Sequence, residues 1–271
     1  MSVRRPATRL VALDRALERL PLFRLSDSAA DDGALQWVPA AGTRWRVLPA
    51  PGDRLPGTFD QDVWVGLLHR WAEAGRPDDG AITFRLHAFL RSLGRKADGR
   101  TYEQLRASLT RLERTTLEST GVYGDGDARF TLLASVVIER RRQEDADQLA
   151  LFPTLTANEP GDARVTLSPQ VRGNLAAGAV AELSWARYQQ LASPVARRLY
   201  RLLSALAPEA EGEAARWPLE QWAERLPLAQ RYPSHLQRVL QPAHEMLVSA
   251  GVVRGATVVT EGRDRWVEYR W

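Results

Sequence analysis

The sequence predicts an α+β fold in which one order of secondary-structure elements occurs twice. That order is helix, short strand, helix, turn, helix and two-stranded hairpin. It appears first within residues 59–142 and again in the second half of the chain. Between the copies lies a polar segment interrupted by Pro153 and by Pro160-Gly161. The 271 residues, 44% hydrophobic and 26% charged, suit two domains of roughly 100–150 residues each.

Helical periodicity and turn residues define the first copy. Apolar residues recur at helical spacing in the first helix, and Gly94 ends the second helix. From Phe130 to Ile138 apolar residues occupy every second position, which is typical of a strand. The expected elements are a helix over 59–74 capped by Asp60, a strand over 82–84, a helix over 86–93, a helix over 100–114 and two strands within 115–142.

The second copy carries the same signals. Ser193 followed by Pro194 marks a helix start, Gly251 a helix end, and Gly262 the turn of a hairpin. The expected elements are a strand over 165–167, helices over 169–176 and 193–206, a shorter helix introduced at 217–219 and ending at Leu226, a helix over 233–250 and a hairpin over 252–271.

Two successive copies of this order indicate two tandem winged helix-turn-helix domains. In such a domain the helix before the hairpin enters the major groove of DNA. We expect an N-terminal winged-helix domain with extra N-terminal strands over 1–142, a linker over 143–162 and a C-terminal winged-helix domain over 163–271.

The helix over 100–114 has an apolar face and a polar face. A small residue among hydrogen-bond donors suits a helix that reads the major groove, because the backbone can then approach the bases. The alternative is a solvated face whose arginines pair with Glu103 and Glu113. The residues expected in the core are Tyr102, Leu105, Leu109 and Leu112. The residues predicted to bind DNA are Arg100, Gln104, Ala107, Arg111 and, nearby, Arg114.

The helix over 233–250 is predicted to read DNA in the second copy. Arg238 and Gln241 are its best candidates for base contacts, and Pro242 is expected to bend it. The tip of the following hairpin, Arg263-Asp264-Arg265, suits a phosphate contact by Arg263 and Arg265. The alternative for His235 is an ordinary surface histidine, and the alternative for the hairpin tip is a solvated turn. The expected inward residues are Leu236, Leu240, Ala243 and Leu247, and the predicted DNA-binding residues are Ser234, His235, Arg238 and Gln241.

Residue types and spacings exclude several kinds of catalytic and metal site. Cysteine is absent, which excludes thiol catalysis and cysteine-based metal centres. Lys96 lacks the flanking residues of a phosphate-binding loop. The four histidines do not stand at metal-ligand spacing, and no nucleophile elbow occurs. We therefore expect no catalytic residue, no metal, no cofactor and no enzymatic activity.

The basic residues are almost all arginine. Of the 37 Lys and Arg residues only Lys96 is lysine, and the net charge is +4. The planar guanidinium group suits phosphate and guanine edges, so the composition favours nucleic acid as a partner. A solvated cationic surface is the alternative.

Five segments resemble the bacterial plasmid replication initiator protein A family, and their order along the chain matches. The most specific is SPVARRLYRLL, within RYQQLASPVARRLYRLLSAL (187–206). The others are GRTYEQLRASLTRLERTTLES (99–119), LQRVLQPAHEMLVSAGVV (236–253), LERLPLFRLS (17–26) and FDQDVWVGLL (59–68). Residues 27–58 and 143–162 contribute little. The near absence of lysine departs from related proteins, which often mix Lys and Arg.

The resemblance implies a cytoplasmic, plasmid-associated protein that binds repeated double-stranded DNA sites at an origin and initiates replication. It further implies recruitment of the host replicative helicase and initiator proteins, and homodimers that repress their own gene. No stretch of the sequence approaches the roughly 18–20 uninterrupted apolar residues of a membrane span, so we expect no membrane association. A winged-helix transcriptional regulator is the first alternative function. A protein-interaction scaffold that does not bind DNA is the second.

Overall fold

The structure, a computed structural model, describes residues 10–25, 33–124, 126–139, 162–207, 214–228, 233–262 and 264–271, without the side chains of 233 and 234. Helices and antiparallel strands alternate along these residues, so the predicted α+β class is confirmed. In chain order the elements are β1 (Leu10–Asp14), α1 (Arg15–Glu18), β2 (Leu35–Trp37), β3 (Arg44–Leu48), α2 (Thr58–Glu73), β4 (Ala81–Arg85), α3 (Leu86–Ser92), α4 (Gly99–Arg114), β5 (Thr116–Thr120), β6 (Asp127–Phe130), β7 (Leu133–Ile138), β8 (Asp162–Leu167), α5 (Pro169–Ala176), β9 (Val180–Ser184), α6 (Trp185–Gln190), α7 (Pro194–Leu206), β10 (Ala214–Pro218), α8 (Leu219–Arg225), α9 (Pro233–Ser249), β11 (Gly255–Glu261) and β12 (Asp264–Arg270).

Two three-stranded sheets have the same internal order. In the first half the order is β4-β8-β7, and in the second it is β10-β12-β11. In each case the strand between the first two helices of the copy pairs with the last strand, which in turn pairs with the strand before it. The element order of α2, β4, α3, α4, β7 and β8 thus matches that of α7, β10, α8, α9, β11 and β12.

Three strand pairings cross the expected division of the chain. β8, which the sequence places at the start of the second domain, pairs with β4 and β7 of the first half. β1, near the start of the described chain, pairs with β9 of the second half. Buried apolar residues of both halves form one continuous core. The predicted linker lies outside the described residues except for Asp162, which begins β8.

The alternating run from Phe130 to Ile138 is not a single strand. β6 ends at Phe130 and belongs to the four-stranded sheet β2-β3-β5-β6, whereas β7 begins at Leu133 and joins the sheet with β4 and β8. At the break, the Thr131 hydroxyl donates to the Leu133 carbonyl at 2.7 Å. A local turn therefore interrupts a pattern that by itself favours one continuous strand.

The start of α2 differs from the predicted cap. Gly57 is the N-cap, and Asp60 lies three residues later, where its Oδ2 accepts the Gly57 N–H at 2.7 Å. Asp60 thus contributes one arm of a capping box. The Asp60 carboxylate is buried, and it also forms an ion pair with Arg111 of α4, which is described below. Among the described residues, no helix has both the length and the apolar character needed to cross a membrane.

Candidate nucleic-acid interface

The start of α4 is held by a strong cap. Oδ1 of Asp98 accepts the Thr101 N–H at 2.9 Å and the Thr101 hydroxyl at 2.8 Å. These hydrogen bonds hold the pKa of the exposed Asp98 carboxyl below its ordinary value. The first turn of α4 therefore has a defined direction relative to the α3–α4 turn.

The two faces of α4 separate as the periodicity predicts over most of its length. The apolar side is buried, as expected, and consists of Tyr102, Leu105, Leu109 and Leu112. The predicted DNA-binding residues Arg100, Gln104, Ala107 and Arg114 are exposed. The solvated-face alternative has some support, because Arg106 pairs with Glu103 at 2.5 Å on the same surface. Whether these residues contact DNA stays a prediction.

The outward placement predicted for Arg111 is wrong. Its side chain is 6% exposed and forms a two-point ion pair with Asp60, with Nη2–Oδ1 at 2.9 Å and Nε–Oδ2 at 3.2 Å. Helical spacing puts Arg111 in line with Arg100, but α2 packs across the C-terminal part of α4 and covers this position. Arg111 is therefore a structural cation, and its guanidinium cannot reach a DNA duplex in this conformation.

The α3–α4 turn adds basic residues that the sequence analysis did not assign to DNA. Arg95 and Lys96 of the turn are exposed, as are Arg91 near the end of α3 and Arg100 in the first turn of α4. Of these, Arg95 pairs with Asp62 at 3.0 Å. The available signal was four basic residues within ten positions around Gly94, next to the start of a candidate recognition helix. Together they make the N-terminal end of α4 cationic.

α9 also has the predicted inward face. Its residues Leu236, Leu240, Ala243 and Leu247 are buried. His235, Arg238 and Gln241 are exposed, and the Gln241 amide donates to Oε1 of Glu245 at 2.9 Å. Pro242 lies inside the helix, as expected. The Ser234 side chain lies outside the described part of the chain.

His244, on the inward side of α9, contacts the second three-stranded sheet, β10-β12-β11. Its Nε2 lies 2.8 Å from the Tyr269 hydroxyl of β12, and both side chains are buried. Burial lowers the pKa of His244 to about 4, so the imidazole is neutral near pH 7. The sequence analysis assigned this residue no role, and the structure gives it a packing role between α9 and the hairpin.

The hairpin tip is described only in part. Gly262 adopts a φ of 63°, which the tight turn between β11 and β12 requires and which glycine allows at low cost. Arg263 lies outside the described residues. Arg265 is half-buried on β12, opposite Thr260. The predicted phosphate contacts of the tip stay predictions.

Each of the two helices α4 and α9 thus has exposed arginine and glutamine side chains opposite a buried apolar face, which is the arrangement expected of a replication initiator that binds DNA. The chain belongs to the Replication initiator protein A family, whose model matches residues 13–226. The predicted family and the predicted role in replication initiation are thereby confirmed. No curated protein sequence matches the chain.

Solved structures share the fold at low sequence identity. Two crystal structures of domains 2 and 3 of RctB superpose with TM-scores of 0.56 and 0.54, each at 14% identity. They cover 91% and 94% of this chain and 94% and 96% of the RctB chains. The Pi initiator protein in complex with iteron DNA gives a TM-score of 0.42 at 12% identity, over 78% of this chain and 93% of that chain. The last value is too low to establish a common fold.

Proposed function

We propose that this protein is a non-enzymatic, sequence-specific binder of double-stranded DNA that initiates plasmid replication at repeated origin sites. The matched element order and sheet order of the two halves support two winged-helix domains, the first formed by α2 to β8 and the second by α7 to β12. Each would place one helix, α4 or α9, in a major groove. The observation that carries the proposal is the exposed donor-bearing face of α4, opposite a fully buried apolar face.

The physical basis for affinity is neutralisation of phosphate charge. Arg100 and Lys96 are exposed near Asp98, the N-cap of α4, where the helix dipole adds partial positive charge. Binding to phosphates releases counterions, so affinity should fall steeply with salt. Gln104 and Ala107 follow on the same exposed face, where a base edge could be read.

The proposal is tested by mobility shifts on DNA flanking the gene, after footprinting has located short repeats. Arg100→Ala and Arg238→Ala should each weaken binding by about 1–3 kcal/mol if they contact bases. Glu103→Ala, on the same surface of α4, is the matched control and should not weaken binding. Unchanged affinity in both arginine variants would reject the assignment of these faces.

Two other functions give different results in the same experiments. A transcriptional regulator with this fold would bind DNA but would not maintain a plasmid that carries the gene and its upstream DNA. A protein-interaction scaffold would show no salt-sensitive DNA binding. The proposal also includes recruitment of the host helicase, dimers that repress the gene, and action on plasmid DNA in the cytoplasm. These parts are tested by the plasmid-maintenance assay in the presence of host factors.

A further inference from the structure

A cluster of charged side chains joins the two halves of the chain inside the core. Arg198 and Arg201 of α7 are each 1% exposed, and so is their partner Glu18 of α1. Arg201 Nη2 lies 2.8 Å from the Glu18 carboxylate, and Arg198 Nη1 lies 3.5 Å from it. Arg198 also donates to the Glu18 carbonyl at 2.9 Å and to the Leu20 carbonyl at 2.8 Å. Arg198 and Arg201 are therefore buried structural cations, and their guanidinium groups cannot reach a DNA duplex in this conformation.

The same helix is tied to α2, on which α4 packs. Arg201 Nη1 donates to Gln61 Oε1 at 3.2 Å, and the Gln61 amide donates to the Pro194 carbonyl at 3.2 Å. The next residue, Asp62, accepts from the guanidinium of Arg197 and, at 3.1 Å, from the Tyr188 hydroxyl. α2 thus presents consecutive polar side chains to the second half.

Asp62 also reaches the turn before α4. Arg95 in that turn donates to Oδ2 of Asp62 at 3.0 Å, the oxygen that Arg197 also contacts. A second tie runs from the Gln189 amide of α6 to the Ser92 carbonyl at the end of α3. One carboxylate thus connects the N-terminal end of α4 with the first turn of α7.

These contacts form a continuous path between the two candidate recognition helices. α4 packs on α2, α2 is bonded to α7 through Gln61 and Asp62, and α7 packs on α9. A buried guanidinium without its partner is costly, so the halves cannot rotate against each other without breaking these pairs. Non-directional apolar contacts alone would tolerate small rotations.

We propose that Asp62 and the arginines of α7 set the spacing between the two DNA half-sites that the protein accepts, because they fix the orientation of α4 relative to α9. The inference rests on the proposed function, since it requires both helices to bind DNA. Asp62 is a positioning residue and does not itself touch DNA.

The test measures the spacing preference of the full chain. A duplex is selected from a random library by the wild-type protein, and one to five base pairs are then inserted between its two protected segments. An insertion of about five base pairs turns one half-site to the opposite side of the helix. The wild-type affinity should fall by about 10- to 100-fold, as expected when the base contacts of one half-site are lost.

Asp62→Asn keeps the shape of the side chain and removes its charge. For this variant, the fold-loss of affinity caused by the same insertion should be less than about a third of the wild-type fold-loss, because its two halves can reorient. Asp79→Asn is the matched control, since it removes an exposed ion pair with Arg164 at 3.6 Å and should keep the wild-type profile. A variant that is merely destabilised would bind every spacing more weakly by the same factor, and that result would overturn the inference.

A second variant keeps the inference testable if Asp62→Asn does not fold. Gln189→Ala removes the tie to Ser92 from an exposed position. It should flatten the spacing profile in the same direction, and a profile identical to that of the wild type would overturn the inference. If the wild-type protein selects no duplex at all, the proposed function fails instead, which separates the two outcomes.

Discussion

The ion pair between Arg111 and Asp60 provides a direct test of how far helix periodicity can be trusted. Arg111→Met replaces the guanidinium by an apolar side chain of similar length. The Asp60 carboxylate, 2% exposed, then keeps only its hydrogen bond to the Gly57 N–H and loses its cation. Removing one partner of a buried pair typically costs about 3–5 kcal/mol. For a chain of this length that corresponds to a fall in Tm of about 5–9 °C.

The measurement is thermal and urea unfolding followed by circular dichroism. Arg114→Met is the matched control, because it makes the same substitution in the same helix at an exposed position, where surface changes are usually within about 0.5 kcal/mol. Asp60→Leu combined with Arg111→Met should recover much of the loss, except for about 1 kcal/mol from the lost cap hydrogen bond. An Arg111→Met variant as stable as the wild type, but defective in DNA binding, would refute the structural assignment of Arg111.

Three further predictions follow from the site. Asp98→Ala removes the α4 cap and should lower the urea concentration at the midpoint of unfolding, measured by circular dichroism. Lys96→Gln should reduce the slope of log affinity against log salt by about one, measured by mobility shifts across salt concentrations, and an unchanged slope would exclude a phosphate contact. The folded pKa of His244, about 4, lies below the ordinary 6.5. The unfolded chain therefore takes up this proton first as the pH falls, and stability should decrease between about pH 6.5 and pH 4 by about 3 kcal/mol in all. His244→Gln should remove this part of the decrease, and an equally steep pH profile in the variant would contradict the assignment.

The helix faces could be predicted from local spacing wherever a single neighbour determines burial. In α9 the inward residues Leu236 and Leu240 and the outward residue Arg238 follow from the 3.6-residue period. The same holds for the first three turns of α4. It fails at Arg111, because periodicity describes one helix and contains no information about a second helix that covers its end.

The family resemblance could be predicted from the sequence, but the structural role of its most specific segment could not. The sequence analysis used SPVARRLYRLL only as evidence of the family and assigned its arginines no contact, whereas the structure buries Arg198 and Arg201 against Glu18. Arginine on a helix is compatible with a phosphate, with solvent or with a buried carboxylate. Only the position of the partner distinguishes the three.

The sequence by itself determined the α+β class, the repeated order of elements and the family, because these depend on local periodicity, turn residues and short motifs. The tertiary structure decided which arginines are exposed and how strands pair between the two halves. The reason is sequence separation: Asp60 and Arg111 are 51 residues apart, and Glu18 and Arg201 are 183 apart. Contacts over such distances are chosen by the packing of whole elements, which no local pattern encodes.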